Sequence, residues 1–198
     1  ILYRTNAQSR AFEEQMRKTA IPYRIYSGLS FYQRKEIKDA IAYMRLVVNP
    51  NDEEALKRVV NYPARGIGNT TMGKIQMAAT KAGVSLWEVI CNPSFYNTSI
   101  GTATTSKLGA FRSFVTCFKD KAEGEDAFTL TRSLLAESGM MKDIYEGKDA
   151  EDVARQENID EFLNSIMMFV DTRREEQDSP SVSVADFLQE VALLTDLE

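Results

Sequence analysis

The chain has 198 residues, 43% hydrophobic and 27% charged, a balance that supports a buried core and one or two domains. It has no histidine, and its two cysteines, Cys91 and Cys117, lack CxxC spacing. That excludes Cys/His metal sites and a histidine general base, and argues against a disulfide framework. No apolar run reaches the length of a membrane span and no signal-peptide pattern is present, so a reducing cytoplasm is the expected setting.

The net charge of −5 argues against nucleic acid when taken whole, but it is unevenly spread. Residues 1–82 hold 14 Lys/Arg against 7 Asp/Glu, for +7, while residues 83–198 hold 10 against 22, for −12. A polyanion contact is therefore expected in the front part. The competing reading of such asymmetry is a set of solvated helix faces.

In chain order, Ile1 to Arg4 reads as the end of a buried strand. Asn6 is a cap for a helix over 7–18, with Phe12 and Met16 on one face. Pro22 breaks that run, and Tyr23 to Tyr26 resumes strand character. A second helix is expected over 33–48, where Ile37, Ala40, Ile41, Met44 and Val48 recur at helical spacing. Strand, helix, strand, helix suggests part of a parallel sheet whose remaining strands lie elsewhere.

Asn49-Pro50-Asn51-Asp52 marks a boundary, and nothing beyond it reads as a strand. Helices are expected over 53–61, 69–82, a short stretch around Trp87, 106–121, 127–138, 140–146, 151–172 and 183–195. A polar loop is expected over 92–106. In 151–172, Ile159, Phe162, Leu163, Ile166, Phe169 and Val170 form an apolar stripe. The fold class is mainly α: an all-α region (49–198) preceded by a small, incomplete α/β portion (1–48).

The connection YPARGIGNTT, residues 62–71, is unlike an ordinary surface turn. Two glycines flanking Ile67 permit positive φ and leave backbone N–H groups uncovered. Asn69, Thr70 and Thr71 then start a helix, placing its positive end and side-chain donors at the same spot. Arg65 adds a cation and Ile67 an apolar anchor. Such a helix-hairpin-helix-like turn suits a phosphate backbone, contacted without reading base sequence. The alternative is a structural turn with glycine and Asn/Thr as helix caps.

No GxxxxGK[ST] loop is present, so the chain carries no P-loop. Ser9 and Cys91 have no histidine to activate them.

The stretches ILYRTNAQSRAFEE, IPYRIYSGLSFYQRKEIKDAIAYMRLVVNPND, RVVNYPARGIGNTT and RQENIDEF, in this order, resemble the UvrD/PcrA/Rep family of bacterial superfamily 1 DNA helicases. The resemblance implies that residues 1–48 are part of the second RecA-like motor domain (2A) and 49–198 the helical 2B insertion. The parent would then be an ATP-dependent 3′-to-5′ DNA helicase of repair or replication restart, using ATP and Mg2+. Its partners would be DNA at a single-strand/duplex junction, the remaining helicase domains and repair proteins, with no membrane.

By the same resemblance Tyr3 would stack on adenine and Arg4 would reach the γ-phosphate. Arg65, Gly66, Ile67, Gly68, Asn69 and Thr70 match a motif associated with duplex ahead of the fork. Arg34 and Lys35 either touch the nucleic-acid backbone or, with Glu36, steady the second helix. Arg155 and Asn158 would hold neighbouring loops. The apparent cut at both ends suggests a piece of a longer protein, without ATPase activity of its own. The rival reading is a regulatory module that binds protein partners and controls the motor by domain rotation.

Overall fold

A computed structural model describes residues 3, 6–23, 30–177 and 181–195. Among them the fold is mainly α, without a strand. The two stretches expected as strands lie outside the described residues except for Tyr3 and Tyr23, which belong to no regular element.

Ten α-helices are described: α1 (Ser9–Lys18), α2 (Lys35–Val48), α3 (Glu53–Val59), α4 (Asn69–Ala82), α5 (Leu86–Cys91), α6 (Thr102–Lys121), α7 (Ala127–Glu137), α8 (Met140–Glu146), α9 (Ala150–Gln177) and α10 (Val184–Thr195). Single 3-10 turns at Asn6–Gln8 and Phe31–Gln33 precede α1 and α2. Local chemistry explains several ends. Asp52, Ser85 and Asp126 accept hydrogen bonds from the backbone N–H groups of Ala55, Glu88 and Thr129, starting α3, α5 and α7. Gly83, in the left-handed region at φ 68°, ends α4. Gln8 rather than Asn6 occupies the N-cap position of α1, without a side-chain cap, because the 3-10 turn over Asn6–Gln8 delays the helix.

Helix α2 differs from its sequence reading in a useful way. Ile37, Ala40 and Met44 are buried as the stripe requires, but so are Ala42, Tyr43, Leu46 and Val47, while Val48 is exposed. A helix buried nearly all round is a core helix, and α2 packs against α3, α6, α7, α9 and α10. The stripe of α9 is buried through Ile159, Phe162, Leu163, Ile166 and Val170, with Phe169 partly covered. Helix α6 begins at Thr102, inside the expected loop. The weak helix propensity of its Thr-rich start is overridden by Leu108, Phe111, Val115 and Phe118, all buried on one face.

Candidate nucleic-acid interface

The 62–71 connection joins α3 to α4, and its inner side is fixed by two side chains. Asn61 Oδ1 accepts from the backbone N–H groups of Arg65 (2.9 Å) and Ile67 (3.0 Å), holding the bend together from its inner side. Ile67 is buried at 1% exposure and anchors the bend in the core. The Tyr62–Pro63 peptide is cis.

Arg65, expected to offer a cation to phosphate, instead turns inward. Its NH1 donates to the carbonyls of Val59 (3.0 Å), Tyr62 (2.8 Å) and Pro63 (3.2 Å). Its NH2 donates to Tyr43 Oη (2.7 Å) and to the carbonyl of Ser138 (3.0 Å). The guanidinium also lies 5.3 Å from the Phe111 ring centroid and 5.8 Å from that of Tyr43. The physical reason is local: α3 ends with carbonyls lacking helical partners, and a planar five-donor group can satisfy several at once. Burial raises the Tyr43 phenol above its ordinary pKa, against the opposing charge of Arg65, so Tyr43 stays a donor and reaches the carbonyl of Tyr62.

The outer side is open. Gly66 takes φ 72°, a conformation that favours glycine, whereas Gly68 has ordinary extended geometry at φ −84°, ψ 178°. A Cβ added at Gly68 would meet nothing within 4 Å. Gly66, Gly68, Asn69 and Thr70 are all exposed. Gly68 is the N-cap of α4 and gives no side-chain cap, so the first-turn N–H groups of that helix are left without an intrahelical partner.

Of the other expected residues, Lys35 joins this loop and Arg34 does not. Lys35 is exposed; its ammonium pairs with Asp39 (3.2 Å) and lies 4.6 Å from the Tyr62 ring centroid. Arg34 is buried at 8% exposure, donating from NH1 to Asn158 Oδ1 and from NH2 to Ser9 Oγ, each at 2.8 Å. Asn158 Nδ2 in turn donates to Glu36 Oε1 at 2.6 Å. Burial lowers the Arg34 pKa, opposed by Glu13, Glu36 and Tyr3. These contacts tie Arg34 to α1 and α9, as the steadying reading of this residue expects.

Arg155 holds the base of the loop, with NH1 at 3.4 Å from Asp152 and NH2 at 3.4 Å from Tyr62 Oη. Tyr62 Oη donates to Asp143 Oδ2 (3.1 Å), and burial together with that carboxylate pushes the phenol well above its ordinary range. Tyr3 is exposed at 38%, and Arg4 lies outside the described residues.

Two residues of the site were not legible beforehand. Asn61 carries only the weak signal of an Asn near a turn. Lys107 comes from the second turn of α6, and a Cβ placed on Gly66 would lie 2.4 Å from its Nζ.

Residues 1–198 match the family of UvrD-like helicase C-terminal domains. The chain belongs to that family. This UvrD-like chain is 37% identical over 198 residues to the ATP-dependent DNA helicase PcrA of Leuconostoc citreum and, equally, to that of Bacillus subtilis (strain 168). It is 32% identical over 193 residues to DNA helicase II of Escherichia coli (strain K12). These alignments cover 98–100% of the chain but only 26% of each relative, so the UvrD-like chain spans about a quarter of the length of the helicases it matches. No described helix is long and apolar enough to cross a membrane.

Proposed function

We propose that this chain supplies a duplex-DNA contact, without base specificity, to an ATP-dependent 3′-to-5′ DNA helicase of repair or replication restart. The observation that carries the proposal is Gly68. Its backbone angles are open to any residue and, among the described residues, nothing lies within 4 Å of an added Cβ, so glycine there is imposed neither by a positive φ nor by crowding. That open space, at the N-cap of α4, lets an outside surface come close to the backbone where the first-turn N–H groups lack helical partners. The exposed side chains of Asn69 and Thr70 add hydrogen-bonding groups at the same edge. Contacts of this kind go to phosphate oxygens, and their strength falls with salt. In this reading Gly66, Gly68, Asn69 and Thr70 touch the backbone, Lys35 adds charge at the base of the loop, and Arg65 and Ile67 hold the loop in shape. Residues 1–48 then belong to the second motor domain and 49–198 to the 2B insertion.

The chain's share of ATP chemistry is Tyr3 and Arg4, for stacking on adenine and charge stabilisation at the γ-phosphate. Among the described residues no cluster of three carboxylate or cysteine side chains could hold a metal ion, so no step is assigned to Mg2+ here. Without a P-loop the chain by itself hydrolyses no ATP.

The test is a titration of a labelled hairpin duplex with the chain and with its Gly68→Ala variant. The added methyl projects into open space, so the stability cost is expected to be limited to the poorer N-cap, about 1 kcal/mol or less, while duplex affinity falls about tenfold. Equal affinity for wild type and variant, or no binding by either at low salt, would reject the duplex contact.

A second reading, a protein-interaction module that regulates the motor and recruits repair proteins, has one observation in its favour. Met77 of α4 is 75% exposed and Phe95 is 78% exposed, bordering an open groove of about 860 Å3 between α4 and residues 95–99. If Phe95→Ser leaves duplex affinity intact while Gly68→Ala removes it, the groove and the DNA contact are separate surfaces.

A further inference from the structure

The inward turn of Arg65 leaves the loop's outer edge without the cation that its sequence promised. The fold supplies another. Lys107 projects from α6 so that its ammonium lies over Gly66, on the side that any other residue's side chain would occupy. Gly66 therefore meets two conditions together: its φ of 72° suits glycine, and its missing Cβ makes room for the Lys107 amine. Lys107 is exposed and, among the described residues, makes no hydrogen bond or ion pair, whereas Lys35 has Asp39 and Lys74 donates to the carbonyl of Ser99 at 2.7 Å. An ammonium left without a carboxylate, held against the bare backbone of a loop, keeps all three donors for a ligand.

We infer that Lys107 is the phosphate-binding cation of this interface, contacting the DNA backbone beside Gly66 in the position expected for Arg65. This rests on the duplex-contact reading of the loop. The chemistry fits a contact that ignores base sequence. Lysine presents a compact charge on a flexible stem, so it follows a phosphate through small changes of register, where a bidentate arginine would demand one geometry. The contact also joins two separate elements, since α6 reaches the loop only through the tertiary fold.

The experiment compares wild type with Lys107→Ala, Lys107→Arg, Lys119→Ala and Gly68→Ala in the same hairpin-duplex titration across a range of KCl concentrations. Lys119 lies on the same helix three turns further along and is exposed, so it reports the effect of removing one positive charge from α6. Lys107→Ala is expected to weaken duplex binding about threefold to tenfold at low salt, equally for unrelated sequences. The log–log salt slope should become shallower by about 1. Lys107→Arg should keep most of the affinity, Lys119→Ala should change neither quantity, and circular-dichroism melting should be unaltered in all three lysine variants. If Gly68→Ala weakens binding about tenfold but Lys107→Ala leaves the slope unchanged, or Lys119→Ala flattens it equally, the role of Lys107 is refuted while the duplex contact stands. If Gly68→Ala binds as well as wild type, or wild type does not bind, both fall together.

Discussion

Arg34 and Arg65 sit in the two segments expected to face nucleic acid, and both turn inward, but they leave different surfaces behind. Around Arg34 the polar groups face one another: Ser9, Asn158 and Glu36 close a buried network tying the turn before α2 to α1 and α9. Around Arg65 only the inner side of the loop is closed. Its outer side keeps Gly66, Gly68 and the first turn of α4 bare, with Lys107 alongside. The difference teaches that a charged residue in a glycine-rich turn can serve to shape the turn rather than to face outward. A guanidinium able to satisfy several carbonyls at once is well suited to shaping a loop; under the proposed duplex contact, the backbone and cations from elsewhere would then make the contact.

The largest expected effect separates the two arginines from DNA altogether. Arg34→Ala would leave Ser9 and Asn158 without their shared donor and Glu13 and Glu36 without a nearby positive charge, destabilising the fold by about 3 kcal/mol in urea denaturation. Duplex affinity of the folded fraction should be unchanged, and a loss of affinity without loss of stability would restore Arg34 to the interface. Arg65→Ala comes next, at about 2 kcal/mol, because the carbonyls of Val59, Pro63 and Ser138 lose their side-chain donor. Here affinity should fall as well, since the loop loses its shape, and Arg65→Lys should rescue neither property. An Arg65→Ala protein as stable as wild type would break the comparison.

A smaller effect is expected where a helix start is capped, which contrasts with the open start of α4. Asp126 caps α7 and accepts from Arg174 Nη2 of α9 at 3.0 Å. Burial alone would raise its pKa, but the hydrogen bonds from Thr129 and the Arg174 charge outweigh it and hold the carboxyl below its ordinary value. A carboxyl depressed in the folded state stabilises above its unfolded pKa, and that contribution fades as pH falls through the folded value. Asp126→Ala should therefore lower stability by about 1 kcal/mol at neutral pH, and the gap to wild type should narrow in acid below the ordinary carboxylate range. A gap that stays constant with pH would show that charge has no part in it. The smallest effect belongs to Lys35, exposed and paired with Asp39. Lys35→Ala should change stability by less than about 0.5 kcal/mol. A fall in duplex affinity as large as that of Gly68→Ala would extend the interface from the loop to the start of α2.

Much of this fold was legible in the residues. Helix α4 begins at Asn69 and ends at Ala82 as its pattern indicates, because Gly68 and Gly83 bracket it with backbone shapes that stop a helix. Helix α8 runs from Met140 to Glu146 between two glycines for a related reason, and the stripe of α9 is buried as its spacing requires. The start of α6 and the all-round burial of α2 were not legible, since both depend on which partners surround those helices.

At the interface, the sequence alone determined where the special turn lies and that two glycines and a helix start meet there, because turn chemistry is local. It also determined, through the family match, what class of enzyme the chain resembles along its whole length. Only the tertiary structure decided which way each side chain faces. Arg65 is drawn inward by the end of α3 and by Ser138, far along the chain, while Lys107 is brought over Gly66 by the packing of α6. The two glycines are alike in sequence, yet Gly66 is left-handed with Lys107 over it, while Gly68 is extended with, among the described residues, nothing within 4 Å of an added Cβ. Direction in space is set by packing between distant segments, and no local pattern encodes it.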